Sequence, residues 1–246
     1  MIVSIMQPAY LPWLGYFHRI AIRDLHIVLD HVQIDKNSKT KFANRNKVRT
    51  KEGWSWLTVP TKTKGRYGRL HINQLEIAGG NSWEAKHWST IRLNYGKAAH
   101  FAEHAAFFET IYYHHWERLV DLTSDITDYL LKAFGIATPL LKSSNMGLEG
   151  KKSDLLLNLC RSVGASVYVS GPLGRDYLDE RLFEEAGLKI AYHDYRHPSY
   201  PQAYPGFEAY MSAIDLLFNC GEKSLEILMG NQRSRKYADS RRSCSS

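Results

Sequence analysis

The chain has 246 residues, of which 44% are hydrophobic and 23% are charged. This length and composition suffice for a folded core that needs no disulfide bonds or metal ions to stabilise it, and they exclude a disordered protein. Three cysteines are too few for a disulfide framework or a cysteine-rich zinc module, and they fit a reducing compartment. We find no apolar run of the roughly 18 residues that a membrane span needs. We therefore expect a soluble, cytoplasmic protein.

The net charge of +7 is distributed unevenly along the chain. Residues 36–69 carry a charge of +10 and residues 231–246 carry +4, so that the rest of the chain is mildly acidic. One basic segment on an acidic body predicts an anionic ligand bound in one place, although a solvated basic loop has the same pattern. We expect residues 1–230 to form a single domain and residues 231–246 to be a disordered basic tail.

The first third of the chain begins with a strand–helix–strand pattern. The spacing predicts a parallel βαβ unit with its strands at 2–6 and 25–29 and its helix at 14–22. A polar loop is expected next, from 35 to 49. Alternating apolar residues then predict two further strands that pair as a hairpin around a glycine-containing turn; these strands are expected at 54–60 and 70–77.

The rest of the chain is first helical and then returns to alternating strands and helices. Between 82 and 134 the 3.6-residue period predicts three helices. Later strands are predicted at 138–142, 166–170 and 188–193, with helices at 153–163, 179–186 and 209–219. The pattern predicts a three-layer α/β domain with a mostly parallel, Rossmann-like sheet of about five strands, a helical insertion and a small antiparallel addition.

The loop after the first strand is the first candidate binding segment. Ligands of open α/β sheets bind outside the carboxyl ends of the parallel strands. Here that loop supplies an amide, aromatic faces and hydroxyl groups, and its two prolines stiffen the backbone. A packed aromatic turn is the structural alternative. The binding residues that we expect are Gln7, Tyr10, Trp13 and Tyr16.

Asp30 ends the second predicted strand, where a carboxylate can accept a proton or a hydrogen bond. We expect it to be a catalytic residue that faces the reacting amine or hydroxyl and acts as its base or orients it. Polar residues follow it, and Arg45 stands between two amides, an arrangement that suits a carboxylate or phosphate. The alternative for Arg45 is a structural salt bridge. The further binding residues expected here are Gln33, Lys36, Asn44 and Asn46.

Two later loops can close the same crevice if the strands are parallel. SGPLG follows the strand at 166–170, and HPSYPQAYPGF follows the last predicted strand. His197 is the second catalytic candidate, although a histidine before proline is more often structural. The binding residues expected from these loops are Ser170, Gly171, Tyr177, Tyr200 and Gln202.

Recognised cofactor and metal motifs are missing from the sequence. It contains no Walker A, GxGxxG, GxSxG or HEXXH pattern, and His100 and His104 lack the glutamate that a zincin helix needs. No cofactor and no metal site are therefore assigned.

Several separate blocks of the sequence resemble the WbqC-like protein family. The resemblance runs from about Ile2 to Gly230 and is carried by the blocks QPAYLPWLGYF, LDHVQIDK, NRN, WSWLTVP, KHWSTIRLNY, SGPLGRDYL, HPSYPQ and MSAIDLLFN. It implies a transferase of bacterial surface-polysaccharide (O-antigen) biosynthesis. The reaction that it implies is aminoacyl (glycyl) transfer to an amino sugar of a nucleotide-linked or lipid-linked substrate.

A second resemblance is at the level of the fold. The strand, proline-containing loop, helix and strand ending in aspartate are similar to the HIGH-type nucleotidylyltransferases. Trp13 and Tyr16 stand where that motif has its histidines, so both catalytic histidines of the motif are missing here.

Two classes of function stay open from the sequence. The first is a transferase with an anionic small-molecule substrate, a nucleotide sugar or an acyl donor, for which aminoacyl-tRNA is one candidate. The second is a non-catalytic binding or assembly protein of a glycan pathway, since no nucleophile–base pair stands out.

Overall fold

The sheet is built from five parallel strands at the centre of the molecule. The computed structural model describes residues 1–33, 43–63, 70–80 and 82–230. Two antiparallel strands, β3 (Arg45–Thr50) and β4 (Gly53–Thr58), form a separate pair. The parallel strands are β1 (Ile2–Met6), β2 (Leu25–Val28), β5 (Leu140–Lys142), β6 (Val167–Ser170) and β7 (Lys189–Tyr192). Their order across the sheet is β5-β2-β1-β6-β7.

Eight α-helices surround this sheet in the described part of the chain. They are α1 (Leu14–Ala21), α2 (Trp83–Tyr95), α3 (Phe101–Tyr113), α4 (Leu119–Ala133), α5 (Lys152–Ser162), α6 (Glu180–Glu185), α7 (Ala213–Cys220) and α8 (Ser224–Met229). None of the helices in the described ranges is both long and apolar enough to cross a membrane.

Two hydrophobic cores lie on opposite faces of the sheet. One contains Phe17 of α1 together with buried residues of the helical insertion and of α7. The other contains Val3 and Ile5 of β1, the leucines of α5, and Phe183 of α6. Strand residues alternate between the two faces, which is why the strand β1 is almost entirely buried. The expected three-layer α/β fold with a mostly parallel sheet, a helical insertion and a small antiparallel addition is confirmed.

The strand order places a topological switch point at β1. The chain runs from β1 to β2 and β5 on one side, and it then returns to build β6 and β7 on the other side. β1 pairs with β6 in parallel, with Ile2 opposite Val167. The loops after both strands therefore open at the same edge, which we call the carboxyl edge. This is the place where doubly wound sheets bind ligands.

The strand pair β3–β4 differs from the predicted hairpin. Residues 45–49 were expected to be part of a polar loop, but they form β3, and β4 pairs with β3 instead of with 70–77. Alternate residues Asn46 and Val48 are fully buried, whereas Arg45 and Lys47 lie over tryptophan rings of β4 at 4.3 and 4.8 Å from the ring centroids. Because these basic side chains make the segment look like a polar loop, the alternation of buried and exposed residues that predicts a strand was not recognised.

The segment 70–77 was predicted to be a strand, and this was wrong. It contains a 3₁₀ turn at Ile72–Gln74. Its backbone donors pair with the chain after β2, because the N–H of Ile72 donates to the Val32 carbonyl and that of Asn73 donates to the Asp30 carbonyl. These donors are then no longer available for a ladder with β4. The expected basic tail at 231–246 lies outside the described residues.

Candidate active site

Asp30 lies two residues after the end of β2, at the carboxyl edge, and only 2% of its surface is exposed. Its Oδ1 accepts hydrogen bonds from the Ser143 hydroxyl at 3.0 Å and from the Ser144 backbone N–H at 2.9 Å. Its Oδ2 accepts a hydrogen bond from the Ser144 hydroxyl at 2.7 Å. Ser143 and Ser144 follow β5, so these bonds join the ends of two neighbouring strands. They also fix the orientation of the carboxylate.

A polar cavity of about 350 Å³ adjoins Asp30 at this edge. The Asn73 side-chain oxygen is buried and has no hydrogen-bond partner among the described residues. Carboxylates, amides and cations together can satisfy a ligand that carries several hydroxyl groups or an amine. The polar residues that line the cavity are Asp30, Asn73, Gln74, Arg118, Asp121, Lys142, Ser144 and Asn145.

The predicted residues of the first loop divide into exposed and buried groups. Gln7 is exposed directly after β1, and Trp13 is half-buried. Tyr10 is fully buried, and its hydroxyl lies 2.8 Å from His87 Nδ1 and 2.5 Å from the Tyr112 hydroxyl. Tyr16 is also buried and packs edge-on against Phe17. Tyr10 therefore anchors the loop to the helical insertion, whereas Tyr16 belongs to the buried part of α1.

The residues around Arg45 lie beside the first loop. The Asn46 amide donates to the Leu11 carbonyl at 2.6 Å, and the Asn44 amide donates to the Val59 carbonyl at 2.8 Å. Arg45 packs over the Trp56 ring. The two amide groups therefore make contacts that hold the β3–β4 pair in place. Gln33 is exposed, and Lys36 lies outside the described residues.

The last predicted loop is hydrogen-bonded to α7. Asp215 is fully buried, and its Oδ2 accepts hydrogen bonds from the Tyr200 hydroxyl and the Gln202 amide, both at 2.8 Å. Burial raises the pKa of Asp215, and these hydrogen bonds oppose the rise. His197 is half-buried, and its Nδ1 lies 2.8 Å from its neighbour's carbonyl oxygen. Tyr200 and Gln202 are thus joined to a buried carboxylate that the sequence analysis did not single out.

A cluster of buried basic side chains at the switch point was missed in the sequence. His18 Nδ1 lies 2.8 Å from His193 Nε2, and the Arg19 Nε–H donates to His193 Nδ1 at 3.3 Å. His18 and Arg19 are on α1, and His193 follows β7. Side chains of a helix lean towards its N-terminus, which for α1 means towards the carboxyl edge. Only the parallel pairing of the strands brings these residues together, so no local pattern marks them.

Burial keeps the histidines of this region neutral. Burial, together with the positive charges of Arg19 and Arg23, lowers the pKa of His18 to about 4 and that of His193 to about 2. Burial also lowers the pKa of His26, whose Nδ1 lies 2.8 Å from the Ser4 hydroxyl, to about 3. At pH 7 these rings therefore act as neutral hydrogen-bonding groups.

We expect His26 to make the protein sensitive to acid. Because its pKa is near 6.5 in the unfolded chain and about 3 in the folded chain, its contribution is present above pH 6.5 and is lost as the pH falls towards 3. Between pH 6 and 4.5, His26→Asn should reduce the slope of unfolding free energy against pH by about 1.4 kcal/mol per pH unit. Urea unfolding at several pH values measures this slope. The exposed control His115→Asn should keep the wild-type slope, and an unchanged slope in His26→Asn would contradict the argument.

A larger groove of about 890 Å³ runs between α2 and α3. Trp88, Phe101 and Tyr112 line it, and the Trp88 ring stacks on both of the others. None of its lining residues follows a strand of the parallel sheet. The groove is therefore separate from the carboxyl edge.

Comparison with known proteins places the chain in a family. The model of the WbqC-like protein family matches residues 7–227. The chain belongs to the WbqC-like protein family. It is 37% identical over 228 residues to the uncharacterized protein Rv1507c of Mycobacterium tuberculosis, an alignment that covers 92% of this chain and 96% of the relative. No solved structure matches it. The match to the WbqC-like family includes the whole carboxyl edge described above.

Proposed function

We propose that this protein is a transferase that acts on an anionic, nucleotide-linked or lipid-linked sugar in bacterial surface-polysaccharide (O-antigen) synthesis. In the proposed reaction, an aminoacyl group, glycyl in the simplest case, is transferred to an amino sugar in the cytoplasm. The observation that carries the proposal is the polar cavity beside Asp30. A fixed carboxylate, amides and cations at the carboxyl edge of a doubly wound sheet match the hydrogen-bonding groups of an amino sugar.

The roles within this site follow from position and chemistry. Asp30 accepts the proton of the reacting amine or hydroxyl, and its hydrogen bonds to Ser143 and Ser144 hold it in place. Gln7, exposed after the central strand, binds a carbonyl group or a ring nitrogen. Arg45 attracts an anionic part of the substrate, and His197 is the alternative base. Aminoacyl-tRNA, an aminoacyl thioester, and an amino acid with ATP are the acyl donors to test.

One observation favours a non-catalytic function as the second candidate. Three hydrogen-bond donors already occupy the Asp30 carboxylate. Hydrogen bonds to both carboxylate oxygens leave fewer lone pairs free to accept a proton from a substrate. In this alternative, the cavity binds a glycan precursor for an assembly complex and leaves it unchanged.

Sugar binding is tested by thermal unfolding with a panel of free and nucleotide-linked amino sugars. A ligand at about 100 times its Kd stabilises the fold by about 2.7 kcal/mol, and we expect the Tm to rise by about 5–10 °C. Asn145→Ala, inside the cavity, should reduce this rise. The exposed asparagine of α5 provides the matched control, Asn158→Ala, which should not. If no amino sugar shifts the Tm, the proposal is wrong; binding without transfer from any of the three donors would favour the second candidate.

A further inference from the structure

The Arg19 guanidinium is buried at the switch point without an acidic partner in the described part of the chain. Only 9% of the residue is exposed. Its Nε–H donates to His193 Nδ1, but its two terminal nitrogens have no hydrogen-bond acceptor and no ion-pair partner among the described residues. A buried cation is costly unless it is paired and hydrogen-bonded.

Arg49 shows what a buried structural arginine looks like in the same molecule. It is 3% exposed, and its terminal nitrogens donate to four carbonyl oxygens at 2.6–3.3 Å, those of Thr50, Gly53, Pro205 and Gly206. Arg19 is buried to a similar extent but has none of these contacts. The difference indicates that the acceptors of Arg19 come from a ligand.

The Arg19 guanidinium lies beside the residue that follows β6 at the carboxyl edge. Gly171, the first residue after β6, lies against it, and a β-carbon there would be 2.8 Å from one terminal nitrogen and 3.1 Å from the other. A planar guanidinium with two free nitrogens is suited to two oxygens of a phosphate group.

The histidine pair orients Arg19 through a one-way chain of hydrogen bonds. Arg19 Nε can only donate, so His193 Nδ1 is the acceptor, and the neutral His193 ring carries its proton on Nε2. That proton is donated to His18 Nδ1, and His18 in turn carries its proton on Nε2. His18 Nε2 is buried and has no partner among the described residues. His193 is therefore a positioning residue that fixes the guanidinium plane.

We propose that Arg19 binds a phosphate group of a diphosphate ligand at the switch point. This subsite lies on the β6–β7 side of β1, whereas the cavity at Asp30 lies on the β2–β5 side. The inference rests on the proposed function for the identity of the whole substrate, namely a diphosphate-linked sugar. A nucleoside diphosphate and a lipid diphosphate share this chemistry.

Binding of inorganic pyrophosphate, measured by isothermal titration calorimetry, tests the subsite without any sugar. Arg19→Met should weaken binding about 30-fold, which corresponds to about 2 kcal/mol. Gly171→Ala, at a φ of −71° that alanine adopts freely, should weaken it as well by displacing the guanidinium. Arg92→Met, on the exposed surface of α2, is the matched control and should bind as wild type. Equal affinity in wild type and Arg19→Met, or no binding to the wild type, overturns the proposal.

Two further measurements separate a ligand-binding arginine from a structural one. Without ligand, Arg19→Met should unfold at the same or a higher urea concentration than wild type, because it removes an unpaired buried charge; a marked loss of stability contradicts the proposal. Nitrogen-15 spectra should show His18 and His193 protonated on Nε2, with shifts in both when pyrophosphate is added. A His193 ring protonated on Nδ1 would contradict the series of hydrogen bonds from Arg19 through His193 to His18.

The source of the diphosphate is distinguished by comparing UDP with farnesyl diphosphate. Tighter binding of UDP identifies a nucleotide-linked substrate, and tighter binding of farnesyl diphosphate identifies a lipid-linked one; both support the subsite. Pyrophosphate binding that depends on Arg19, in a protein that no amino sugar stabilises, would keep this inference and reject the proposed function.

Discussion

Phe218→Ala is expected to lower the free energy of unfolding by about 4 kcal/mol. Phe218 lies on α7, is fully buried, and joins the helical insertion to the rest of the core. Its ring centroid lies 5.2–5.4 Å from those of Tyr95, Phe101 and Phe108. Alanine would leave a cavity among side chains of α2 and α3 that cannot all move to fill it.

Thermal and urea unfolding measure this loss, which should lower the Tm by roughly 8–16 °C. The control is Leu93→Ala on α2, a residue that is 80% exposed and should be neutral within about 0.5 kcal/mol. A change of less than 1 kcal/mol in Phe218→Ala would mean that the insertion packs independently of α7.

Asp30→Asn is expected to reduce turnover by at least about 100-fold in a reconstituted transfer assay, while substrate Kd changes little. The amide keeps an oxygen that accepts from Ser143 and from the Ser144 backbone. Its NH₂ group can donate to the Ser144 hydroxyl, which then rotates to accept. The fold is thus preserved, but the side chain no longer takes up a proton.

The measurements are single-turnover rates and calorimetric affinities for the same substrate. Asp125→Asn, on the exposed surface of α4, is the matched control and should retain wild-type turnover. Full turnover in Asp30→Asn would show that the base is elsewhere, and His197 would be the next residue to change.

Most of the parallel sheet could be predicted from the sequence because its strands are short apolar runs with clear ends. The strand at 166–170 was expected from SVYVS, and the structure has β6 at Val167–Ser170. The strand β3 could not be recognised in the same way, since Arg45 and Lys47 occupy its outward positions. Their charges are tolerated because the tryptophans of β4 provide ring faces for them.

The candidate site was only partly visible in the sequence. Asp30 was singled out because it ends a predicted strand, and the end of a strand can be recognised from the local sequence. Arg19, on the other hand, stands in an apolar helix where a basic residue looks like an ordinary surface position. Its importance depends on Gly171 and His193, which are more than 150 residues away and meet it only through the strand order. Long-range pairing of this kind leaves no local periodicity to detect.

The central position of β1 has a consequence for how the protein reaches its native state. β1 is made of some of the first residues of the chain, yet its partner β6 begins at Val167. At a synthesis rate of about 5–20 residues per second, β1 waits roughly 10–30 s on the ribosome before that partner exists. During this time the backbone N–H and C=O groups along one edge of β1 remain unpaired, and the strand is open to aggregation. The switch point is thus among the last parts of the molecule to form, and chaperone supply should affect the yield of folded protein.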